Sequence, residues 1–464
     1  MVMGTGAASF TDQDEFSDNY AEAAEVLTGM GIIQGYDDGS FLPQRNINRA
    51  QVATMIYRAA TGDVTDSKIS QFVGEDLFDD VNADDWFAGY VNYCGNAEYI
   101  KGFTPDTFGP YKQVTGYQVL AMILRAVGYD ENDEYTGDQW TLRVAATARE
   151  QGLLDNLNPD TNLAEPATRE LVAELIFRAI HPDVETVHYV PAEGDYAEEG
   201  SSLGEQVFDL VVKDSADEWG RPEVLWTYNT GDEETVIEID PVATYTTAVN
   251  DCDVYEDTGI SGDVAAYVNS GRWNDTYNIS KTATKDNIGA QGQLVEVYDY
   301  TTVNGDDAAR IVVIDTFLAQ VTNVTEAKYD SNNHLAKDAS LTLTVYDGAN
   351  TSVTLTNGST NYTYAVGDML LINAYTNDKD EVISGDGQYV EIVSAAESFV
   401  GAQTKIHSNA DYHTVNGTDY PDAVKFFRND AGTNRTENFN WWMDQYDNLI
   451  GVTGITSNYA VLKD

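Results

Sequence analysis

A chain of 464 residues with 42% hydrophobic and 11% aromatic content can bury several cores, which excludes an intrinsically disordered protein. Its 77 acidic against 25 basic residues give a formal charge of −52, a surface that repels nucleic acid and anionic lipid and argues against both as partners. No apolar run approaches the ~18 residues of a membrane-spanning helix. The two cysteines, Cys94 and Cys252, are too few for a disulfide scaffold, and Cys94 in an apolar helical stretch reads as a small buried hydrophobe. The acidity reads either as a solvated coat or as carboxylates bridged by divalent cations. No cofactor follows from the sequence, and structural Ca²⁺ stays open.

In chain order, residues 1–9 end in Gly6-Ala7-Ala8 before Ser9, which resembles the small-residue end of an export signal and is expected to be a residual, disordered leader. Three ungapped apolar segments follow. They begin at Val52, Val119 and Val172 and end in Arg58-Ala59, Arg125-Ala126 and Arg178-Ala179, where a cation meets the negative end of a helix dipole. Asn48 lies three residues before Gln51 and Thr115 three before Gln118, the spacing of a capping box; Thr168 keeps the cap, but Glu170 comes one position early. Upstream of each cap runs a second amphipathic helix, then a glycine turn and an apolar-Pro turn, as in Gly35-Tyr36-Asp37-Asp38-Gly39-Ser40-Phe41-Leu42-Pro43. A repeated helix pair cannot bury its faces alone, so the three copies are expected to pack together.

These residues resemble S-layer homology (SLH) modules of Gram-positive cell surfaces. The first copy carries the likeness through Gly31-Ile32-Ile33-Gln34-Gly35-Tyr36-Asp37-Asp38-Gly39 and Ile47-Asn48-Arg49-Ala50-Gln51, the second through Phe78-Asp79-Asp80-Val81 and Trp86. The resemblance implies an extracellular protein held non-covalently by a secondary cell-wall polysaccharide, often one carrying ketal-linked pyruvate. It also implies modules at 10–62, 72–130 and 135–182. The residues themselves are compatible with an anion site. Arg49 and Arg169 open their helices, beside unsatisfied N–H groups, and a guanidinium can grip a carboxylate with two bonds. Gly39 allows close backbone approach, and Tyr36 or Trp86 could stack on a sugar face. Asp80 joins the candidate set through the matched motif. Against this, Arg49 and Arg169 could simply pair with neighbouring acids, and Trp86 and Trp140 read more readily as core residues of a helix pair. Gly116 stands where the other copies have arginine, so one or two competent grooves are expected rather than three. Up to Ile180 there are 29 acidic and 11 basic residues, about −18, and screening confines the resulting repulsion to ~8 Å.

Residues 183–202 read as an acidic linker. Beyond it come short β-rich runs bounded by Gly, Asn and Asp, with turns at Asn304-Gly305 and Asn416-Gly417 and a hairpin around Trp441–Val452. A β-rich domain at 203–320 and a sandwich-like one at 321–464 are expected, giving an α + β multidomain fold with an α-helical pseudo-trimer before antiparallel β-rich domains. No G-x-S-x-G, H-E-x-x-H, phosphate loop or Cys/Zn spacing occurs, so neither catalytic nor metal-binding residues are assigned. His407, His413, His181 and His188 read as exposed, and Asp330–His334 begins like a Ca²⁺ loop but lacks its Gly and distal Glu. The reading is a surface-layer structural protein capable of self-assembly. A wall-anchored adhesin is the alternative, and a hydrolase a weaker one.

Overall fold

The computed structural model describes residues 10–75, 77–130, 133–189, 197–269, 276–282, 287–377, 379–405, 412–428 and 437–455. The expected leader at 1–9, and His407, lie outside the described residues. The repeat folds as three helix pairs: α1 (Ala21–Gly29) with α2 (Arg49–Thr61), α3 (Ala88–Asn96) with α4 (Gly116–Ala126), and α5 (Trp140–Glu150) with α6 (Arg169–Ile180). The caps fall where the spacing places them. Gln51 N–H donates to Asn48 Oδ1 at 2.9 Å and Gln118 N–H to Thr115 Oγ1 at 3.4 Å, each with the reciprocal bond of a capping box. Thr168 accepts from Leu171 N–H at 3.3 Å without that reciprocal bond.

Just before each cap the chain is extended, and the three segments close a ring. Ile47 N–H donates to Ala167 O at 3.1 Å, Ala167 N–H to Val114 O at 2.8 Å, and Val114 N–H to Ile47 O at 3.4 Å. Three equivalent backbone pairs thereby satisfy one another around a pseudo-threefold axis. Farther along that axis Ile56 and Ala59, Ile123 and Ala126, and Ile176 and Ala179 meet around a small apolar cavity that Leu203 also lines. The repeated apolar segment is thus the axial core of the ring. Leu203 opens α7 (Leu203–Phe208), whose own capping box pairs Ser202 with Glu205.

The chain divides into two compact units. One runs up to Lys213 and includes Val224–Ile237; the other comprises Asp214–Glu223 and the described residues from Glu238 onward. The helical unit therefore takes in the segment around Trp226, which is 1% exposed and stacks edge-on against Phe177 and His181. Within the span expected to be a linker, Glu185–Tyr189 pairs antiparallel with Ala197–Ser202.

In the β-rich unit the strand Asp307–Thr325 organises the sheet. Its first half pairs antiparallel with Gln293–Thr301, and its second half with Ser340–Val345 and Met369–Ala374. One core forms around Val295, Ile311 and Val313, a second around Phe317, Leu343 and Ile372, and a third around Val415, Trp441 and Leu449. The segment Val321–Thr325, expected to open a new unit, is the far end of this 19-residue strand. The turn at Asn416 and Gly417 has φ of 51° and 87°, as a two-residue hairpin demands. Asp330 accepts from Asn332 and His334 N–H, so the sequence that began like a Ca²⁺ loop is the turn of a hairpin. His413 corrects an expectation. It is 6% exposed, its Nδ1 lies 2.6 Å from Asp422 Oδ1, and its ring packs on Phe426 and Trp441. His181 is likewise sheltered rather than exposed, because Trp226 covers it.

Candidate functional site

Each helix-opening arginine reaches into the loop of another copy. Arg49 Nε donates to Phe108 O at 2.9 Å and Nη2 to Lys101 O at 2.7 Å, with the guanidinium 4.6 Å from the ring centres of Phe103 and Phe108. Arg169 repeats this in the first copy, bonding Phe41 O at 2.7 Å and Gln34 O at 3.2 Å over the rings of Phe41 and Tyr36. Both side chains are buried, at 4% and 7% exposure, and neither forms an ion pair among the described residues. Pairing with neighbouring acids, the bland expectation, is therefore not what occupies them. Burial, and then the charge of Arg125, push the Arg49 guanidinium down to about 10; burial also lowers Arg169. A buried cation held by neutral carbonyls leaves its charge uncompensated, and an incoming anion would relieve that.

Two equivalent grooves open beside these arginines. Arg49, Lys101, Phe103, Gln118, Arg125 and Trp140 line one of about 340 Å³. Arg169, Gln34, Gln51, Thr54, Arg58 and Trp86 line the other, of about 90 Å³. Among the described residues no carboxylate lines either groove, although the chain carries −52 overall. Trp86 is 57% exposed, so it is a groove wall and not a core residue. Arg169 and Trp86 thus share one groove, Tyr36 packs its ring against the Arg169 guanidinium outside the lining, and Arg49 lies in the second groove. Gly39 lies outside the groove lining: φ is 83° and a Cβ would stand 3.1 Å from Thr11 Cγ2, so it shapes the loop.

Asp80 supports the loop from behind. Its carboxylate accepts from Phe108 N–H at 2.7 Å and Gly109 N–H at 2.8 Å, as Asp12 does from Phe41 and Leu42 in the first copy. Those amides belong to the turn whose Phe108 carbonyl holds Arg49. Asp80→Ala is expected to cost about 2–4 kcal/mol by leaving two amides without a charged acceptor. The loss should appear as a lower melting temperature of the helical signal in circular dichroism.

The third position is built differently. A Cβ on Gly116 would lie 2.6 Å from Leu163 Cδ2 and 3.0 Å from its Cα, so the space that an arginine stem needs is filled. Glu174 stands in register with Thr54 and Ala121. It is 1% exposed, and its Oε1 accepts from Arg178 Nε at 2.8 Å and Asn156 Nδ2 at 3.0 Å. Arg178 is thus paired with a carboxylate on its own helix, whereas Arg58 and Arg125 pair with Asp66 and Asp130 from the loops that follow theirs. Gln34, Phe103, Trp140, Arg58 and Arg125 line the grooves although no local motif marks them. The shared register of Arg58 and Arg125 is the one sequence signal for them, and it is equally that of a cation compensating a helix dipole.

The β-rich unit holds a cavity of about 320 Å³ lined by Asp217, Arg221, Glu223, Glu238, Asp240 and Glu296, where Arg221 bonds Glu296 at 2.7 Å and Asp217 at 3.2 Å. Burial, then the charges of Asp217, Glu238 and Glu218, push Glu223 up to about 7. A carboxyl raised above its unfolded value near 4.5 adds stability that is full below pH 4.5 and is lost as pH rises through 7. Glu223→Gln should therefore raise the melting temperature at pH 8 by about 2 °C, a small effect because solvent screens a half-buried carboxylate. The difference should vanish below pH 4.5.

With this geometry in view, the S-layer homology domain model matches residues 9–53 and 77–119. The chain carries S-layer homology domains. It is 28% identical over 184 residues to the middle cell wall protein of Brevibacillus brevis, covering 40% of this chain and 17% of that one. It is 40% identical over 104 residues to a surface layer protein of Brevibacillus choshinensis, covering 22% and 9%. An amylopullulanase of Thermoanaerobacterium thermosulfurigenes is 27% identical over 179 residues, covering 35% and 9%. The chain thus spans less than a fifth of the length of each of these relatives. The S-layer homology domains make it a cell-surface protein anchored at the cell wall, and no described helix is long and apolar enough to cross a membrane.

Proposed function

We propose that the S-layer homology ring binds a secondary cell-wall polysaccharide through the two arginine grooves, each taking an acidic substituent such as a ketal-linked pyruvate. The observation that carries this reading is the pair of buried guanidiniums, each bonded to carbonyls, with no carboxylate partner or acidic groove lining among the described residues. Arg49 and Arg169 would bind the carboxylate with their remaining donors and Trp86 and Tyr36 would stack on sugar faces. Gly39 and Asp80 would hold the loops. The partition of the ring into modules at 10–62, 72–130 and 135–182 belongs to the same proposal.

Wall sacculi before and after hydrofluoric-acid extraction of the secondary polymer provide the test. The full chain should pellet with intact sacculi and stay in the supernatant with extracted ones. Pelleting with both would overturn the reading.

For the β-rich part we propose a non-enzymatic, surface-layer structural role. Relatives named for wall and surface layers support it, while the amylopullulanase shows that a relative can be an enzyme. Ordered sheets of the purified chain in negative-stain microscopy are the expected outcome.

A further inference from the structure

The β-rich unit buries a lysine against a carboxylate that the anchoring reading does not use. Lys425, on the strand Thr418–Arg428, has a side chain only 13% exposed, and its Nζ lies 3.1 Å from Asp315 Oδ2 and 2.6 Å from Asp380 Oδ2. Asp315, on the strand Asp307–Thr325, has a side chain 1% exposed. Its two oxygens accept from different side-chain amides, Oδ2 from Asn269 Nδ2 and Oδ1 from Gln293 Nε2. The Phe317 ring centre lies 5.3 Å from Nζ. An amine is thus held 3.1 Å from an acyl oxygen of Asp315, on the same carboxyl group it would attack. Amide donors sit where charge would develop on the acyl oxygens, and a second carboxylate is in reach of the amine protons.

We propose that Lys425 and Asp315 condense to an Nζ–Cγ amide, a covalent staple between two strands of the β-rich unit that is independent of wall binding. Asp380 takes one proton from the Nζ ammonium and passes it to the Asp315 carboxylate, and the freed lone pair attacks Cγ of the now neutral carboxyl group. Asn269 and Gln293 hold the oxygens of the tetrahedral intermediate. A second proton leaves Nζ, one Cγ–O bond breaks, and that oxygen departs with both protons as water. Asp380 ends as it began, a carboxylate. Ammonium and carboxylate become amide and water, so no oxidant, reductant or further reactant is needed.

Intact mass spectrometry of the full chain under denaturing conditions reads the outcome directly. The native chain should be lighter than its sequence mass by one water, about 18 Da. The Lys425→Arg variant, which keeps a cation beside Asp315 and cannot condense in this way, should show its full sequence mass. Tandem spectra of a native digest should contain one branched peptide joining the Lys425 and Asp315 segments. A native chain at full mass, or a lost water that maps elsewhere, would overturn the staple. Asp380→Ala tests the relay without disturbing the core, since Asp380 is 68% exposed. Retention of the full mass by this variant is expected, and complete water loss at the native rate would remove Asp380 from the reaction.

Discussion

Replacing Arg49 and Arg169 together by alanine is expected to abolish co-sedimentation with purified cell walls. One charge-assisted fork to a carboxylate contributes about 1.5–3 kcal/mol, so each groove alone should lose roughly ten- to a hundred-fold in affinity. Two grooves on one ring that grip one polymer also bind with an avidity that can exceed either site by ~10²–10⁴. Each single variant should therefore weaken binding by more than its own groove's share, and the double variant should fall to background. Removing a guanidinium also frees two loop carbonyls, Phe108 and Lys101 or Phe41 and Gln34, so melting of the helical signal must be followed in parallel. Arg49→Lys and Arg169→Lys separate the two effects. They keep the charge but lose the planar fork, and should bind at an intermediate level while staying folded. Undiminished pelleting of a folded double-alanine variant would remove the grooves from wall binding.

Local signals in the sequence reached the helices but not the grooves. Asn48, Thr115 and Thr168 mark their helix starts because a cap is satisfied within three residues, and even the missing reciprocal bond at Thr168 follows from Leu171 standing where Gln51 and Gln118 stand elsewhere. What Arg49 does is decided by carbonyls of Lys101 and Phe108, more than fifty residues away, and no local pattern encodes that pairing. Gly116 was visible as a missing arginine. That Leu163 fills the vacated space depends on the third copy packing against the second, whereas the Glu174–Arg178 pair, four residues apart on one helix, is local.

The β-rich part was legible as strands and turns, since alternation and Asn-Gly are short-range. Its division was less so. The strand Asp307–Thr325 serves two cores, and its burial is nearly continuous from Ile311 to Ala319 rather than alternating, because its middle is covered on both faces. His413 misled for a related reason. A histidine in a polar run looks solvated until Asp422, Phe426 and Trp441 arrive from other strands.

Trp226→Ala should be the most destabilising single change in the helical unit, lowering its unfolding free energy by about 3–5 kcal/mol, as large aromatic deletions in cores do. The indole is 1% exposed, stacks edge-on at 5.1 Å from Phe177 and 5.3 Å from His181, and donates from Nε1 to Glu22 Oε1 at 2.9 Å. Truncation opens a cavity and also takes the donor from the Glu22 carboxylate. Denaturant unfolding followed by the helical circular-dichroism signal reads the loss, and a change under ~1 kcal/mol would mean that the segment around Trp226 does not brace the ring. A second readout ties the loss to this contact. Burial, against the opposing pull of Asp183, holds the His181 imidazole below its ordinary 6.5, and the charge of Arg178 pushes the same way. A base whose folded pKa is depressed is favoured neutral, so native stability falls as pH drops from 6.5 toward the folded value. Once Trp226 is gone, water reaches the ring of His181, its titration by NMR should move up toward 6.5, and that pH dependence of stability should shrink.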